Sequence, residues 1–62
     1  MLLARELEIL HLLAGGPANH EIAERLTLAI STVKTHNHNV FSKLGVKDQV
    51  NAILRARDVG LL

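Results

Sequence analysis

Between Thr32 and Ser42 the chain carries an ammonium (Lys34), hydroxyls (Thr35, Ser42) and an imidazole (His38), with no carboxylate among them. If this segment is helical, Val33, Val40 and Leu44 share one face while Lys34, Thr35, His38 and Ser42 point away from it. Each group on the outward side can hydrogen-bond a phosphate oxygen or a base edge, and no acid is there to repel a polyanion. The chemistry this pattern suits is contact with nucleic acid.

Other chemistries find less support. Four histidines invite a metal-site reading, but His36 and His38 stand two apart on a helix, point to different sides and cannot share one ion. No cysteine is present to ligate zinc or close a disulfide, so the redox compartment stays open. The turn Gly15-Gly16-Pro17 lacks the spaced glycines and the Lys-Ser/Thr pair of a phosphate loop. No carboxylate pair or Ser-His arrangement stands in a segment able to form a pocket, so neither an enzyme nor a bound cofactor or metal is expected.

The outward-facing groups need a scaffold, and the periodicity supplies an all-α one with four helices. Leu3, Leu7, Leu10 and Ala14 recur at helical spacing, widened by Ile9, Leu12 and Leu13, until Gly15-Gly16-Pro17 stops the first helix. Ile22, Ala23 and Leu26 mark a short second helix whose first turn carries Glu21, where a negative charge suits the helix dipole. A brief stretch from Thr27 to Ile30 leads into the third helix, which Gly45 ends. Helix, tight connection and helix make a helix-turn-helix. Asp48 is a good N-cap for a fourth helix in which Ala52, Ile53 and Ala56 face inward and Gly60 supplies the stop. Beside that inward face Val50 and Leu54 form a second apolar stripe, a candidate surface for a two-fold homodimer.

Sixty-two residues make one domain with one small core of Leu, Ile, Val and Ala, and Phe41 is the only aromatic ring. The net charge of +1 argues little, whereas its distribution argues more. Through Leu26 acids outnumber bases, and from Thr27 onward Lys34, Lys43, Lys47, Arg55 and Arg57 outnumber Asp48 and Asp58. No apolar run approaches the roughly 18 residues that span a bilayer, and the N-terminus lacks the pattern of a signal peptide, so no membrane association and a cytoplasmic location are expected.

The order of residues carries a further likeness. Arg5-Glu6-Leu7-Glu8-Ile9-Leu10, Asn19-His20-Glu21-Ile22-Ala23, Thr32-Val33-Lys34-Thr35-His36, Asn39-Val40 and Lys43-Leu44-Gly45-Val46 together resemble the LuxR-type (GerE-like) DNA-binding domain of bacterial transcription regulators. The resemblance runs from about Leu2 to Leu62. It implies a four-helix bundle with a central helix-turn-helix, whose third helix enters the major groove of promoter DNA and whose fourth mediates dimerisation. It also implies that residues 1–62 are the output module of a longer regulator, joined to an upstream receiver or ligand-binding domain. Carried over by position, Lys34, Thr35 and His38 take the places that reach base edges, and Thr32, Asn19 and Lys43 are phosphate candidates. Thr32 and Asn19 lie near helix N-termini, where free N–H groups already favour an anion. The competing reading is a module of the same fold that docks a regulator or RNA polymerase, but such a face is expected to show aromatic or large apolar anchors.

Four departures from the family pattern bear on stability. Leu3, Ala18 and Ala29 stand where the family has Thr or Ser before a helix, and none can cap with a side-chain oxygen. Asn37 falls on the inward face between Val33 and Val40, where the family generally has an aliphatic residue and where a buried amide needs partners. His36 is open between a phosphate contact and a packed, hydrogen-bonded side chain.

Overall fold

A computed structural model describes residues 1–62 as four helices and no strand: α1 (Ala4–Ala14), α2 (Asn19–Leu26), α3 (Ile30–Leu44) and α4 (Gln49–Asp58). The longest, α3, packs against each of the other three, whereas α2 and α4 do not touch. The core has two lobes strung along α3. Ile9, Leu13, Ile22, Ala23 and Val33 join α1, α2 and the start of α3. Leu10, Val40 and Ala56 join α1, α3 and α4, with Phe41, Leu44, Leu61 and Leu62 packed around them. Because both lobes hold α3 from one side, its other side is left to solvent.

The helix ends follow the chemistry of their residues. Gly45 takes the left-handed conformation (φ 70°) that closes α3, and Gly60 (φ 79°) lies just beyond Val59, the C-cap of α4. The Asp48 carboxylate accepts from Asn51 N at 2.8 Å and caps α4. Thr27 is less ordinary. It closes α2 at φ 56°, a conformation uncommon for a β-branched residue, and so places strain in the turn of the helix-turn-helix.

Two inward assignments shift. On α1 the buried positions are Glu6, Ile9, Leu10 and Leu13, while Leu7 and Ala14 are half-buried and Leu3 is 62% exposed at the N-cap. The helix starts one residue after Leu3, so that side chain never joins the stripe. On α4 Ala52 and Ala56 are fully buried but Ile53 only partly, because the small alanines bring the helix backbone close to the core and leave Ile53 at its margin.

Leu3, Ala18 and Ala29 are extended N-caps that make no side-chain capping bond. Half of the reciprocal arrangement survives at two of them, since Glu6 Oε1 accepts from Leu3 N at 2.9 Å and Glu21 Oε1 from Ala18 N at 3.4 Å. A hydroxyl at residue 18 completes the missing half, and one at residue 29 supplies a side-chain cap where there is none. Ala18→Ser and Ala29→Ser are each expected to add about 1 kcal/mol and to raise the melting temperature by roughly 4–8 °C. Thermal unfolding followed by circular dichroism checks this; an unchanged or lower midpoint for both means that the hydroxyls do not reach the free amides.

Candidate nucleic-acid interface

The solvent side of α3 presents Ser31, Lys34, Thr35, His38, Asn39, Ser42 and Lys43, all exposed, with Thr32 half-buried at one shoulder. The helix contains no Asp or Glu, so its partial charges and side chains leave this side free of carboxylates. Lys34 takes part in neither of the two ion pairs of the structure, and its ammonium is available to a ligand. Thr35 is partly committed, because its Oγ1 donates to Ser31 O at 3.0 Å across one turn. Its hydroxyl oxygen therefore keeps acceptor lone pairs for a ligand, while its proton is already engaged.

Of the remaining residues singled out from the sequence, Lys43 and Asn19 have partners inside the chain. The Lys43 ammonium donates to Glu6 Oε1 at 2.7 Å, linking the end of α3 to the start of α1. The Glu6 side chain is only 2% exposed, and the same oxygen receives the Leu3 N–H. The hydrogen bond from Lys43, then that from Leu3, hold the Glu6 carboxyl below the usual range; burial opposes them, and the charges of Lys43 and His36 assist. An ammonium has three donors, so Lys43 keeps two for another acceptor.

Asn19 is the first residue of α2, and its Oδ1 accepts from Asn37 Nδ2 at 2.9 Å. Asn37 is buried on the inward face, at 8% exposure, and its own Oδ1 has no partner in the chain. His36 is half-buried, with a buried Nδ1 that is likewise unpartnered. The structure thus gathers Lys34, Thr35 and His38 on one exposed surface. Thr32 and Lys43 lie at its edge, and Asn19 belongs to the neighbouring helix. Ser31 and Asn39 share the exposed surface one turn before and after Thr35, and the same periodicity that selected Thr35 points to them.

Elsewhere, an open cleft of about 340 Å³ is formed by the turn that joins α3 to α4 and by α4 itself, lined by Gly45, Val46, Lys47, Asp48, Asn51 and Arg55. No three His, Cys, Asp or Glu side chains are grouped to hold a metal ion. No helix is long and apolar enough to cross a membrane. On α4 Val50 and Leu54 are exposed, at 67% and 51%.

A short helix and a tight turn that hold up a longer helix with an acid-free polar surface define a helix-turn-helix domain of the DNA-binding, transcription-regulating class. The chain belongs to the luxR family of bacterial regulatory proteins: the profile described as GerE, bacterial regulatory proteins, luxR family, matches residues 1–56. It is 50% identical over 56 residues to the response regulator protein VraR of Staphylococcus aureus, and equally so to VraR of Staphylococcus saprophyticus and Staphylococcus epidermidis. Each alignment covers 90% of this chain and 27% of the relative. Among solved structures, the response regulator ChrA of a heme-sensing two-component system superposes with a TM-score of 0.96 at 44% identity, over all of this chain and 31% of that one. The chain thus spans about a quarter to a third of the length of the proteins it matches.

Proposed function

We propose that this domain reads promoter DNA in a sequence-specific way as the output module of a longer cytoplasmic transcription regulator. The observation that carries the reading is the exposed, acid-free surface of α3 with its unpaired Lys34, backed by three helices that hold it rigid. The major groove, roughly 12 Å wide, admits such a helix. Lys34, Thr35 and His38 then meet base edges, while Thr32, Asn19 and Lys43 hold backbone phosphates on either side. Two copies pair through Val50 and Leu54 on α4, weakly in free solution because the patch is small, and more firmly on adjacent half-sites. An upstream domain, a receiver by analogy with the response regulators it resembles, governs when that pairing occurs.

Selection of bound duplexes from a random pool at fixed salt tests the reading. Enrichment of a short motif repeated at a spacing of one helical turn, about 10 base pairs, or a multiple of it is the expected result. Leu54→Glu, folded by circular dichroism, should keep the motif and lose the cooperativity between repeats. Recovery of no motif removes sequence reading, and undiminished cooperativity in Leu54→Glu removes α4 as the dimer surface.

A further inference from the structure

The geometry points to Asn37 as a positioning residue that turns the Asn19 amide so that its NH2 group, not its carbonyl, faces a DNA phosphate. The inference rests on the phosphate-holding role proposed for Asn19.

Asn37 lies on the buried side of α3, between Val33 and Val40, both fully buried. A polar amide is costly there, and this one leaves its Oδ1 without a partner in the chain. Its single side-chain bond is the 2.9 Å contact from Nδ2 to Asn19 Oδ1, made across the helix-turn-helix from α3 to the first residue of α2. The two ends of a carboxamide diverge, so a carbonyl turned toward Asn37 directs the Asn19 NH2 away from it, and Asn19 is half-buried, with part of its surface open to solvent. An NH2 donates to a phosphate oxygen, whereas a carbonyl in its place repels one. The opposite arrangement of the pair would bury unpaired N–H groups of Asn37 instead of a lone oxygen, and orphaned donors are the rarer and less tolerated case. A valine at residue 37 continues the apolar surface but leaves the Asn19 amide free to rotate.

The test is a double-mutant cycle read on a random-sequence duplex, because a phosphate contact is independent of base sequence. Asn19→Ala is expected to weaken binding roughly threefold to tenfold, the size of one hydrogen bond. Asn37→Val is expected to weaken it by a similar factor while its melting temperature stays level or rises. The double variant should bind no more weakly than Asn19→Ala alone. Full affinity in Asn37→Val, or losses that simply add, overturns the inference while leaving the role of Asn19 intact. Full affinity in Asn19→Ala overturns both. Should Asn37→Val not fold, side-chain amide NMR of the unaltered chain decides: duplex should shift the Asn19 NH2 resonances and leave those of Asn37 in place. Movement of the Asn37 amide alone counts against the inference.

Discussion

Lys43→Ala is expected to lower the melting temperature by on the order of ten degrees, more than any other truncation on the exposed side of α3. The reason is the residue it abandons. Glu6 is buried by the packing of α1, and of its two donors Lys43 is the closer and the charged one. Without it, a carboxylate stays enclosed with a single backbone N–H for compensation. Replacing both residues by leucine removes the need for compensation, and that double variant should recover most of the loss. The pH dependence gives a second readout. Because Lys43 and the Leu3 N–H depress the pKa of Glu6 in the folded state, the stabilisation is complete above the ordinary glutamate value of 4.5 and is lost as pH falls through the lower folded-state value. Asp48, lowered mainly by its bonds from Asn51, adds a loss of the same sign. Urea unfolding at a series of acidic pH values should show a steep fall for the native chain and a shallower one for Glu6→Gln. A Lys43→Ala variant as stable as the native chain would falsify the structural role of the pair.

This pair also marks where the sequence stops being informative. Gly45, Asp48 and the Gly15-Gly16 turn announce helix ends because each carries its own local chemistry, and the four helices follow from periodicity. Glu6 carries no such sign. Its partner lies 37 residues away, and an acid in the first turn of a helix reads equally well as a solvated dipole partner. Asn37 is half legible: its spacing from Val33 and Val40 places it inward, but nothing local names Asn19 as its bonding partner. Thr27 is illegible for the opposite reason. Its type argues against positive φ, yet it takes the left-handed conformation that closes α2, where Leu28 N donates back to Ala23 O at 2.8 Å. The exposed surface of α3 is the most legible part of the candidate site, since exposure follows directly from the buried stripe. Which of its side chains would read bases and which would hold phosphates, in the function proposed above, depends on how the domain docks on DNA, a geometry that resides in neither partner alone.

Docking therefore decides the last expected result. Lys34→Ala should weaken binding to the preferred duplex by roughly 1–3 kcal/mol, about 5- to 150-fold, and flatten the preference at one base pair. Lys34 lies in the first turns of α3, where a helix entering the groove by its N-terminus brings side chains to base edges, and its unpaired ammonium can donate to guanine O6 and N7. Thr35→Ala and His38→Ala should change preference more than total affinity, because they remove hydrogen-bonding chemistry rather than a permanent cation. For Thr35 the change should fall on a pair that offers a donor or a thymine methyl, since its own proton is already given to Ser31 O. Lys43 behaves differently if it holds a phosphate: its removal weakens all sequences by similar factors and lowers the salt slope by about one unit. Because Lys43→Ala also loosens the fold, its affinity must be taken at a temperature where circular dichroism shows it fully folded. Glu6→Gln supplies the converse test, for it loosens the grip on Lys43 and should raise affinity for random duplex. Binding of each variant to matched and singly substituted sites at several salt concentrations separates the roles. If Lys34→Ala weakens all sequences equally while Lys43→Ala shifts base preference, α3 docks in the opposite sense, with its C-terminal end against the bases.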